Sequence, residues 1–493
     1  MLVMKFGGTS VGDAKCFANV RDIVARAVRD PKRPRSGGVV SPVVVVVSAM
    51  NTVTETLLEA ARLAAAGNER AVEEKLRYLR QKHLQVVEEL FSGPARDSAA
   101  KAVEGILAEF QNICAGMALL RELPLRAMDA GLSVGERLSA TLLASHLRDR
   151  QIPAQAVDAA SCVVTDENFG SARPLLKPTR AATRRVLLPL VKKGKVPVVT
   201  GFLGATREGV RTTLGRGGSD YSASIVAAAL DADELWIWTD VDGVLSADPK
   251  MVGRARILGE LVYEEAAELS HFGAKVLHHK TLAPLVSRMI PVWIKNTFAP
   301  EKPGTRIGPP REGSAMGPKA VTSLAPVTLL TLRSNGTPGT TELLARTFEA
   351  LSHSDVEILM VTQASYQDSF CFLVPQGMAL KAEESLEEEF QLELSHRYLQ
   401  PIETEDVAAV ALIGEGMRGT PGIAARMFGA LGRERVNVIS IAQGSSESNI
   451  SCVVSLAERA AAVQAIHEEF IRPAPKLPRQ RASSHTPQRN NPR

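Results

Sequence analysis

A lysine, two glycines and two hydroxyl side chains lie close together in the stretch KFGGTS at 5–10. The apolar residues 2–6 predict a strand, so Lys5 and Gly7-Gly8 lie where that strand turns. A glycine turn at a strand end exposes backbone N–H groups and the lysine adds positive charge, which suits an anion such as a phosphate. An ordinary glycine turn after a strand-end lysine is the alternative. The stretch is not a Walker A loop, because the pattern G-x-x-x-x-G-K-[ST] is absent.

A second candidate site lies in TTLGRGGSDYSAS at 212–224, where Arg216 is surrounded by glycines. Glycines allow the backbone to approach a ligand closely, and a guanidinium can bind a carboxylate through two parallel hydrogen bonds. Ser219 or Asp220 is the expected N-cap of a helix over 221–230. The alternative is a capped helix after a glycine-rich loop, but an arginine among glycines favours a binding loop.

Acidic residues in two further stretches are candidates for binding. Glu136, in GLSVGERLSA at 131–140, could accept an ammonium group. The alternative is an acid in the first turn of a helix, favoured by the helix dipole, and on spacing alone this alternative is stronger. Thr239 and Asp240 follow the apolar run 235–239 and fit either a nucleotide contact or a solvated turn.

Basic side chains occur in ELSHFGAKVLHHKTLAP at 268–284, which has the apolar spacing of a helix. Lys275 lies inside the apolar run, where it needs an anionic partner. His271, His278 and His279 are interpreted as structural or surface residues, because no matching acidic or cysteine cluster accompanies them. No metal site is therefore predicted.

Short β-branched runs alternate with helical stretches through the first 300 residues. The runs are 2–6, 43–48, 154–158, 197–201, 235–239 and 290–295, and the helical stretches include 55–90 and 220–230. Apolar strands that alternate with helices are typical of an α/β fold whose mostly parallel sheet is covered on both faces. Ligands of such sheets bind beyond the carboxyl ends of the strands, where the candidate residues lie.

Composition argues against several classes of protein. Of the 493 residues, 45% are hydrophobic and only 4% are aromatic, which suits an aliphatic core and not a base-stacking nucleic-acid protein. The net charge of +4 comes from 472–493, which holds six basic and no acidic residues and leaves 52 basic against 54 acidic residues elsewhere. The five cysteines are scattered singly and the apolar runs are too short to span a membrane. No disulfide framework, nucleic-acid role or membrane association is expected, and the expected location is the cytoplasm.

The C-terminal third contains an internal repeat. Proline and glycine cluster at 300–318, which predicts a linker, and beyond it 345–365 matches 425–445 at an offset of 80 residues. Gln363 and Gln443 are equivalent in this repeat. Repeated units of this size predict paired small α+β modules that share a surface.

Five motifs in this order resemble the aspartokinase family: KFGGTSV at 5–11, VGERLSA at 134–140, TTLGRGGSDYSA at 212–223, WTDVDGV at 238–244 and FGAKVLH at 272–278. The resemblance covers about 1–470 and implies an amino-acid-kinase fold, a three-layer α/β/α arrangement with a mostly parallel sheet, followed by two α+β ACT (ferredoxin-like) domains. The implied division is a catalytic domain at 1–300, a linker at 301–320, ACT domains at 321–402 and 403–470, and a disordered basic tail at 471–493.

The resemblance also implies roles for individual residues. Lys5 and Asp220 are implied as catalytic. The residues implied for ATP are Lys5, Gly7, Gly8, Thr9, Ser10, Thr239, Asp240, Lys250 and Lys275. The residues implied for aspartate are Ser48, Thr54, Glu136, Arg216, Gly217, Gly218 and Ser219. Three positions depart from the family: Leu245 where many members have tyrosine, Lys250 where arginine is common, and His279 where proline is usual.

The implied activity is aspartate kinase, L-aspartate + ATP → 4-phospho-L-aspartate + ADP, the first step toward lysine, methionine and threonine, with Mg²⁺ bound through the nucleotide. Feedback by threonine or lysine at the ACT domains is expected, with Gln363 and Gln443 as effector contacts, in a dimer or tetramer formed through these domains. IAQGSSESNIS at 441–451 resembles aspartokinases fused to homoserine dehydrogenase. No dehydrogenase sequence follows, so a monofunctional enzyme is expected.

Two other functions remain open from the sequence. One is a kinase for glutamate, N-acetylglutamate or a carbamate, against which the GRGGSD and VGER segments and the paired modules count. The other is an amino-acid-sensing regulator with an inactive kinase domain, against which Lys5, Glu136, Arg216, Asp220 and Lys275 count.

Overall fold

The computed structural model describes residues 1–30, 42–273, 277–311, 317–335, 339–364 and 369–471, and for His279 and Ala364 it describes the backbone alone. The strands are β1 Leu2–Phe6, β2 Val43–Val47, β3 Ala154–Val157, β4 Val196–Thr200, β5 Leu203–Ala205, β6 Arg211–Thr213, β7 Glu234–Thr239, β8 Glu260–Leu261, β9 Val292–Asn296, β10 Thr305–Ile307, β11 Ala320–Arg333, β12 Met360–Ala364, β13 Ser369–Pro375, β14 Glu403–Ile413, β15 Ser440–Ala442 and β16 Asn449–Ser455. The helices are α1 Ala14–Arg29, α2 Val53–Ala65, α3 Glu69–Leu90, α4 Gly93–Leu120, α5 Leu125–Asp149, α6 Leu176–Lys192, α7 Gly218–Leu230, α8 Tyr263–His271, α9 His279–Val286, α10 Thr340–His353, α11 Ala379–Glu389, α12 Gln391–Ser395, α13 Ile423–Arg433 and α14 Arg459–Phe470.

The N-terminal domain is built on an eight-stranded sheet in the order β3-β4-β2-β1-β7-β9-β10-β8. Neighbouring strands are parallel, except that β10 runs antiparallel to β9. Every residue of β1, β2 and β4 is buried, because helices cover both faces of the sheet. The predicted mostly parallel α/β fold is confirmed.

Two apolar layers separate the sheet from its helices. Helices α1 to α5 pack over one face around Phe17, Leu79 and Phe110, and helices α6 to α9 pack over the other around Leu187 and Val226. The three-layer arrangement is therefore confirmed. By length and mean hydropathy α4 would be long enough to span a membrane; in the fold its buried side chains face α3 and α5.

The region 55–90, predicted as a helical stretch, forms two helices, α2 and α3, because the backbone turns through Gly67 at φ +74° and Asn68 accepts from the Ala71 N–H to cap α3. Two other local predictions need correction. The predicted N-cap at Ser219 or Asp220 is wrong, since both residues lie in the first turn of α7 and Gly217 is its N-cap.

The predicted apolar helix over 268–284 is also interrupted. Helix α8 ends at His271, Gly273 adopts φ +87°, and α9 begins at His279. Lys275 lies outside the described residues, so its predicted role in binding ATP stays a prediction.

The C-terminal part forms a second sheet in the order β12-β13-β11-β14-β16-β15. Equivalent hydrogen bonds occur at the predicted offset of 80 residues. Leu359 N–H donates to Leu373 O, and Ile439 N–H donates to Val453 O, both over 2.8 Å. Each module follows the order strand, helix, two strands, helix. The two predicted α+β modules are confirmed.

The two modules exchange strand segments with each other. The first half of β11, Ala320–Leu324, pairs with Ala409–Ile413, and the second half pairs with Glu403–Val407. Val321 packs in the core of the second module, beside α13 and α14. The second module is therefore completed by Ala320–Leu324, which precedes the first module in the sequence. The first module is completed by Glu403–Val407, which lies beyond the expected boundary at 402/403.

The stretch 301–320, predicted as a linker, is partly regular structure. Within it Thr305–Ile307 form β10 and pair with Val292–Ile294 in the sheet of the N-terminal domain. The basic tail at 472–493 lies outside the described residues, and the prediction that it is disordered stays a prediction.

Candidate active site

A cavity of about 680 Å³ opens at the carboxyl ends of β1 and β2. Its walls come from the loops after these strands, the starts of α2 and α7, and the buried face of α5. The predicted residues that line it are Lys5, Gly8, Ser48, Thr54, Glu136, Arg216, Gly217, Gly218, Ser219 and Asp220. All residues that the family resemblance implies for aspartate therefore lie around one cavity.

Lys5 and Asp220 form an ion pair in the cavity. Lys5 Nζ lies 2.5 Å from Asp220 Oδ1, and both side chains are largely buried. Apart from Lys5, Asp220 Oδ1 has no hydrogen-bond partner among the described residues. The carboxylate holds the ammonium group at the end of β1, where it can face an anionic ligand.

Glu136 is the most unusual polar group of the cavity. It lies in the middle of α5, so the alternative reading as a first-turn acid is wrong. Its side chain is 3% exposed, and Oε2 has no hydrogen-bond partner among the described residues. Burial raises the pKa of Glu136 to about 8, against the lowering effects of the Ala49 backbone and of Lys5. A cation that entered the cavity would supply the missing partner.

Close backbone packing brings Glu136 to the sheet. A Cβ on Gly135 would lie 2.8 Å from the Cβ of Ala49, and a Cβ on Gly8 would lie 2.9 Å from the Ala49 oxygen. Glycine at these two positions lets α5 and the ends of β1 and β2 meet. Larger residues would push the helix that carries Glu136 away from Lys5.

Arg216 lies at the cavity mouth, in the loop between β6 and α7. Gly215 and Gly217 flank it with φ +75° and +71°, a left-handed conformation that glycine adopts without strain. Arg216 is exposed, and within the described ranges no ion pair or hydrogen bond holds its guanidinium. Gly218 and Ser219 follow at the N-terminus of α7, whose dipole favours an anion.

Except for Lys250 and Lys275, the residues predicted for the nucleotide lie around the turn after β1 and at the end of the adjacent strand β7. Gly7 N–H donates to Trp238 O over 3.1 Å, which places Gly7 beside Thr239 and Asp240. Thr239 Oγ1 donates to Asp240 Oδ1 over 3.1 Å, and Thr9 is partly exposed at the same turn.

Ser10 is an exception among the predicted nucleotide residues. It is fully buried, and its hydroxyl lies 2.7 Å from Thr297 Oγ1 and 3.4 Å from Trp238 O. In this conformation Ser10 fastens the turn after β1 to the end of β9, and its hydroxyl does not face the cavity.

Lys250 lies apart from the cavity, in a loop that packs on the second of the two C-terminal modules. Lys250 is exposed, while its neighbour Val252 and nearby Ala247 belong to the core of that module. Gln464 of α14 donates to Met251 O over 2.7 Å. The structure thus places Lys250 at a contact between the N-terminal domain and the second module. Leu245 pairs with Ile257 in an isolated antiparallel bridge, which does not explain its departure from the family, and the side chain of His279 lies outside the described residues.

The cavity also contains polar residues that the sequence predictions missed. Asp129 and Thr213 are buried side chains that line it, and they are hydrogen-bonded to each other over 2.7 Å. Their signal in the sequence is weak: Asp129 lies two helical turns before Glu136, on the same face of α5.

Gln363 and Gln443, which are predicted as effector contacts, lie in or just after the second strands of the two modules, and both side chains are exposed. The strands β12 and β15 approach each other, since Thr362 Oγ1 lies 2.8 Å from Ser440 Oγ. Gln363 therefore lies on β12, and Gln443 lies just after the neighbouring strand β15.

Comparison with known proteins matches both parts of the chain. Residues 1–296 match the amino acid kinase family, and residues 330–390 and 410–470 each match an ACT domain. Aspartokinase 1, chloroplastic, of Arabidopsis thaliana is 32% identical over 477 residues, which cover 95% of this chain and 80% of that protein.

Several relatives are longer bifunctional proteins. The bifunctional aspartokinase/homoserine dehydrogenase of Haemophilus influenzae is 37% identical over 68% of this chain and 41% of its own length. Bifunctional aspartokinase/homoserine dehydrogenase 1, chloroplastic, of Arabidopsis thaliana is 31% identical over 95% of this chain and 51% of its own length. The chain thus spans about half the length of these relatives.

Solved structures of similar fold cover nearly the whole chain. E. coli aspartokinase III in complex with aspartate and ADP (R-state) has a TM-score of 0.80 and 30% identity, over 96% of this chain and 100% of that one. The same enzyme in complex with lysine and aspartate (T-state) has a TM-score of 0.75 over the same coverage.

Proposed function

The chain belongs to the aspartokinases, within the amino acid kinase family, and we propose that it transfers the γ-phosphoryl group of ATP to the β-carboxylate of L-aspartate. The observation that carries this proposal is that a buried acid, Glu136, and an exposed base, Arg216, line the same cavity as Lys5. A site that binds an α-amino acid needs a carboxylate to pair with the ammonium group and a cationic side chain to pair with the α-carboxylate. The complex of E. coli aspartokinase III with aspartate and ADP supports the choice of substrate.

Glu136 and Arg216 orient the substrate. The ammonium group of aspartate supplies a partner for the buried Oε2 of Glu136, and the resulting ion pair returns this carboxyl to its charged form. Arg216 binds the α-carboxylate, ideally through two parallel hydrogen bonds. The side-chain carboxylate of aspartate then faces Lys5 and the start of α7.

The chemical step needs no general base in this account. The β-carboxylate of aspartate has an ordinary pKa of about 3.9 and is ionised at neutral pH. Catalysis is then alignment and charge neutralisation, as in phosphoryl transfer generally. Lys5 neutralises charge on the transferring group, and Asp220 holds the Lys5 ammonium in place.

Mg²⁺ is expected to enter with ATP. The described residues include no group of three or more His, Cys, Asp or Glu side chains that could hold a metal ion. A Mg²⁺ bound by phosphate oxygens and water fits such a site, and Asp220 is the acidic side chain nearest to Lys5 that could contact it. The metal supplies charge neutralisation at the phosphates.

Trapping of the acyl phosphate with hydroxylamine tests the proposal. The assay contains the protein, MgATP and one amino acid: L-aspartate, L-glutamate, N-acetyl-L-glutamate or N-acetyl-L-aspartate. Hydroxamate is expected with aspartate alone, because acetylation removes the ammonium group that Glu136 binds. Product with glutamate or N-acetylglutamate instead would favour another amino acid kinase. Aspartate binding without product would favour an inactive regulator.

We also propose feedback control through the ACT domains by an end-product amino acid, at Gln363 and Gln443. A glutamine amide offers both donors and an acceptor to a small polar ligand. Exposure of both residues on neighbouring strands supports a site at an interface between chains of a dimer or tetramer. Threonine is the first candidate because IAQGSSES resembles the fused enzymes, and lysine is the second because E. coli aspartokinase III binds it.

Kinase activity with threonine, lysine or both tests the regulatory proposal, in the wild type and in Gln443→Ala. Inhibition of the wild type at millimolar levels is expected, with a coupling free energy of about 1–3 kcal/mol. Gln443→Ala should be desensitised. Absence of inhibition in the wild type would refute the regulation, and a fully sensitive Gln443→Ala would refute this location.

A further inference from the structure

Asp129 is a buried carboxylate of the cavity wall to which the proposed reaction assigns no role. Its side chain is 0% exposed. Oδ2 accepts from the backbone N–H of Gly170 and of Thr213, each over 2.9 Å, and Oδ1 accepts from the Thr213 hydroxyl over 2.7 Å. These three donors come from two different segments, so one carboxylate fastens both segments to α5.

Both segments support Arg216. Thr213 ends β6, three residues before Arg216. The loop at Gly170 packs against Gly215, where an added Cβ would lie 3.1 Å from Ser171 Oγ and 3.4 Å from Gly170 O. Asp129 therefore fixes the residues before the arginine and the surface against which its loop rests.

Helix α5 connects this anchor to the ammonium site. Asp129 and Glu136 lie seven residues apart, which is two helical turns or roughly 10 Å along one face. Both side chains line the cavity. A single rigid helix thus holds the carboxylate that binds the ammonium group and the carboxylate that anchors the Arg216 loop.

We propose that Asp129 is a positioning residue, which sets the distance between Arg216 and Glu136 and so selects aspartate over longer amino acids. The proposal rests on the proposed function. Arg216 and Glu136 hold the α-carboxylate and the ammonium group of the substrate at a fixed place. The side-chain carboxylate of aspartate, which follows one methylene group, then lies beside Lys5, where it can attack the γ-phosphorus of ATP. The carboxylate of glutamate, which follows two methylene groups, extends past this position.

A carboxylate is suited to this task because all its partners are donors. In Asp129→Asn the amide oxygen can still accept from the two backbone N–H groups, but the NH₂ group then faces the Thr213 hydroxyl, which must turn and accept. The charge and the hydrogen bond donated by the Thr213 hydroxyl are lost, although size and shape are conserved. The Arg216 loop should then shift while α5 and Glu136 stay in place.

Steady-state kinetics of Asp129→Asn and Thr213→Val test the proposal, with Asp158→Asn as the matched control. Asp158 Oδ2 accepts from Arg211 Nη2 over 2.8 Å, so it also fastens β6, but it lies outside the cavity. Wild-type turnover of aspartate is measured first, so that failure of the proposed function is seen separately. Circular dichroism and thermal unfolding establish which variants are folded.

In Asp129→Asn the KM for aspartate should rise about tenfold or more, the KM for ATP should stay within about twofold, and the preference for aspartate over glutamate should fall about tenfold. Thr213→Val should change the same quantities in the same direction by less, and it decides the matter if Asp129→Asn does not fold. Asp158→Asn should resemble the wild type. Wild-type KM and preference in the folded cavity variants, or the same changes in Asp158→Asn, would overturn the proposal.

Discussion

Two buried glutamates show how the catalytic cavity differs from the contact between the domains. Glu136 in α5 and Glu265 in α8 are exposed by 3% and 0%. Glu265 has a partner for each oxygen: Oε2 accepts from Lys319 Nζ over 2.8 Å and from Val262 N–H over 2.9 Å, and Oε1 accepts from Glu415 N–H over 2.9 Å. Glu136 leaves Oε2 without a partner in the described part of the chain.

The two glutamates therefore have different tasks: Glu265 stabilises the fold, and Glu136 binds a ligand. Glu265 ties α8 to Lys319, which lies just before β11, and to Glu415 of the second module, so its charge is compensated inside the protein. Glu136 is left for a ligand to compensate, at a cost that appears as its raised pKa. Substitutions in the cavity should therefore change kinetics, and substitutions at the domain contact should change the free energy of unfolding.

The largest kinetic effect is expected from Lys5→Met, which keeps the apolar stem and removes the charge. Loss of a contact to the transferring group costs about 3–4 kcal/mol, or a hundred- to thousandfold in kcat. Lys319→Met is the matched control, because it removes the buried lysine that pairs with Glu265. It should lower the unfolding temperature and leave kcat within about threefold. A folded Lys5→Met protein with near-wild-type kcat would show that Lys5 is not catalytic.

Conversion of each glutamate to glutamine should sharpen the comparison in stability. Glu265→Gln leaves Lys319 without its buried partner and should cost about 3 kcal/mol in the free energy of unfolding. Glu136→Gln should not destabilise the ligand-free protein. Because the pKa of Glu136 is raised in the folded state, its stability contribution is full below the unfolded pKa of about 4.5 and is lost as pH rises toward about 8.

Denaturant titrations of both variants and the wild type at pH 5 and pH 8 measure this prediction. The wild type should lose stability relative to Glu136→Gln between these two pH values. If Glu136→Gln is the less stable protein at pH 8, then Glu136 is a structural residue like Glu265.

Arg216→Ala should have a smaller effect, confined to aspartate. Arg216 is exposed and its loop is built on glycines, so its removal should leave stability unchanged. Loss of a charge-assisted hydrogen bond of about 1.5–3 kcal/mol raises the KM for aspartate roughly ten- to hundredfold, while the KM for ATP stays within about twofold. Kinetics with each substrate varied in turn measure this. An increase in the KM for ATP alone would show that Arg216 binds the nucleotide and not aspartate.

The sequence predicted the parts of the cavity whose signals are local. Lys5 and Arg216 stand beside glycines at the ends of predicted strands and loops, and both line the cavity. Glu136 needed the family resemblance, because spacing alone suggested a first-turn acid. Asp129 gave only a weak signal, its helical spacing from Glu136, because its partner Thr213 is 84 residues away in the sequence.

The strand exchange between the regulatory modules could not be predicted either. The repeat shows two similar units, but the pairing of Ala320–Leu324 with Ala409–Ile413 joins residues distant in sequence. Val321 packs in the core of the second module, and this contact exists only in the folded chain.

Calorimetric titration of the ligand-free protein with L-aspartate at pH 7, in two buffers of different ionisation enthalpy, measures whether Glu136 accepts the ammonium group of the substrate. Because burial raises the pKa of Glu136 to about 8, this carboxyl is mostly protonated before binding and ionises when the ammonium group of aspartate pairs with it. The wild type should release about one proton per aspartate bound, and Glu136→Gln should bind weakly and release none. Tight binding of aspartate by the wild type without release of a proton would contradict the assignment of Glu136 as the ammonium acceptor.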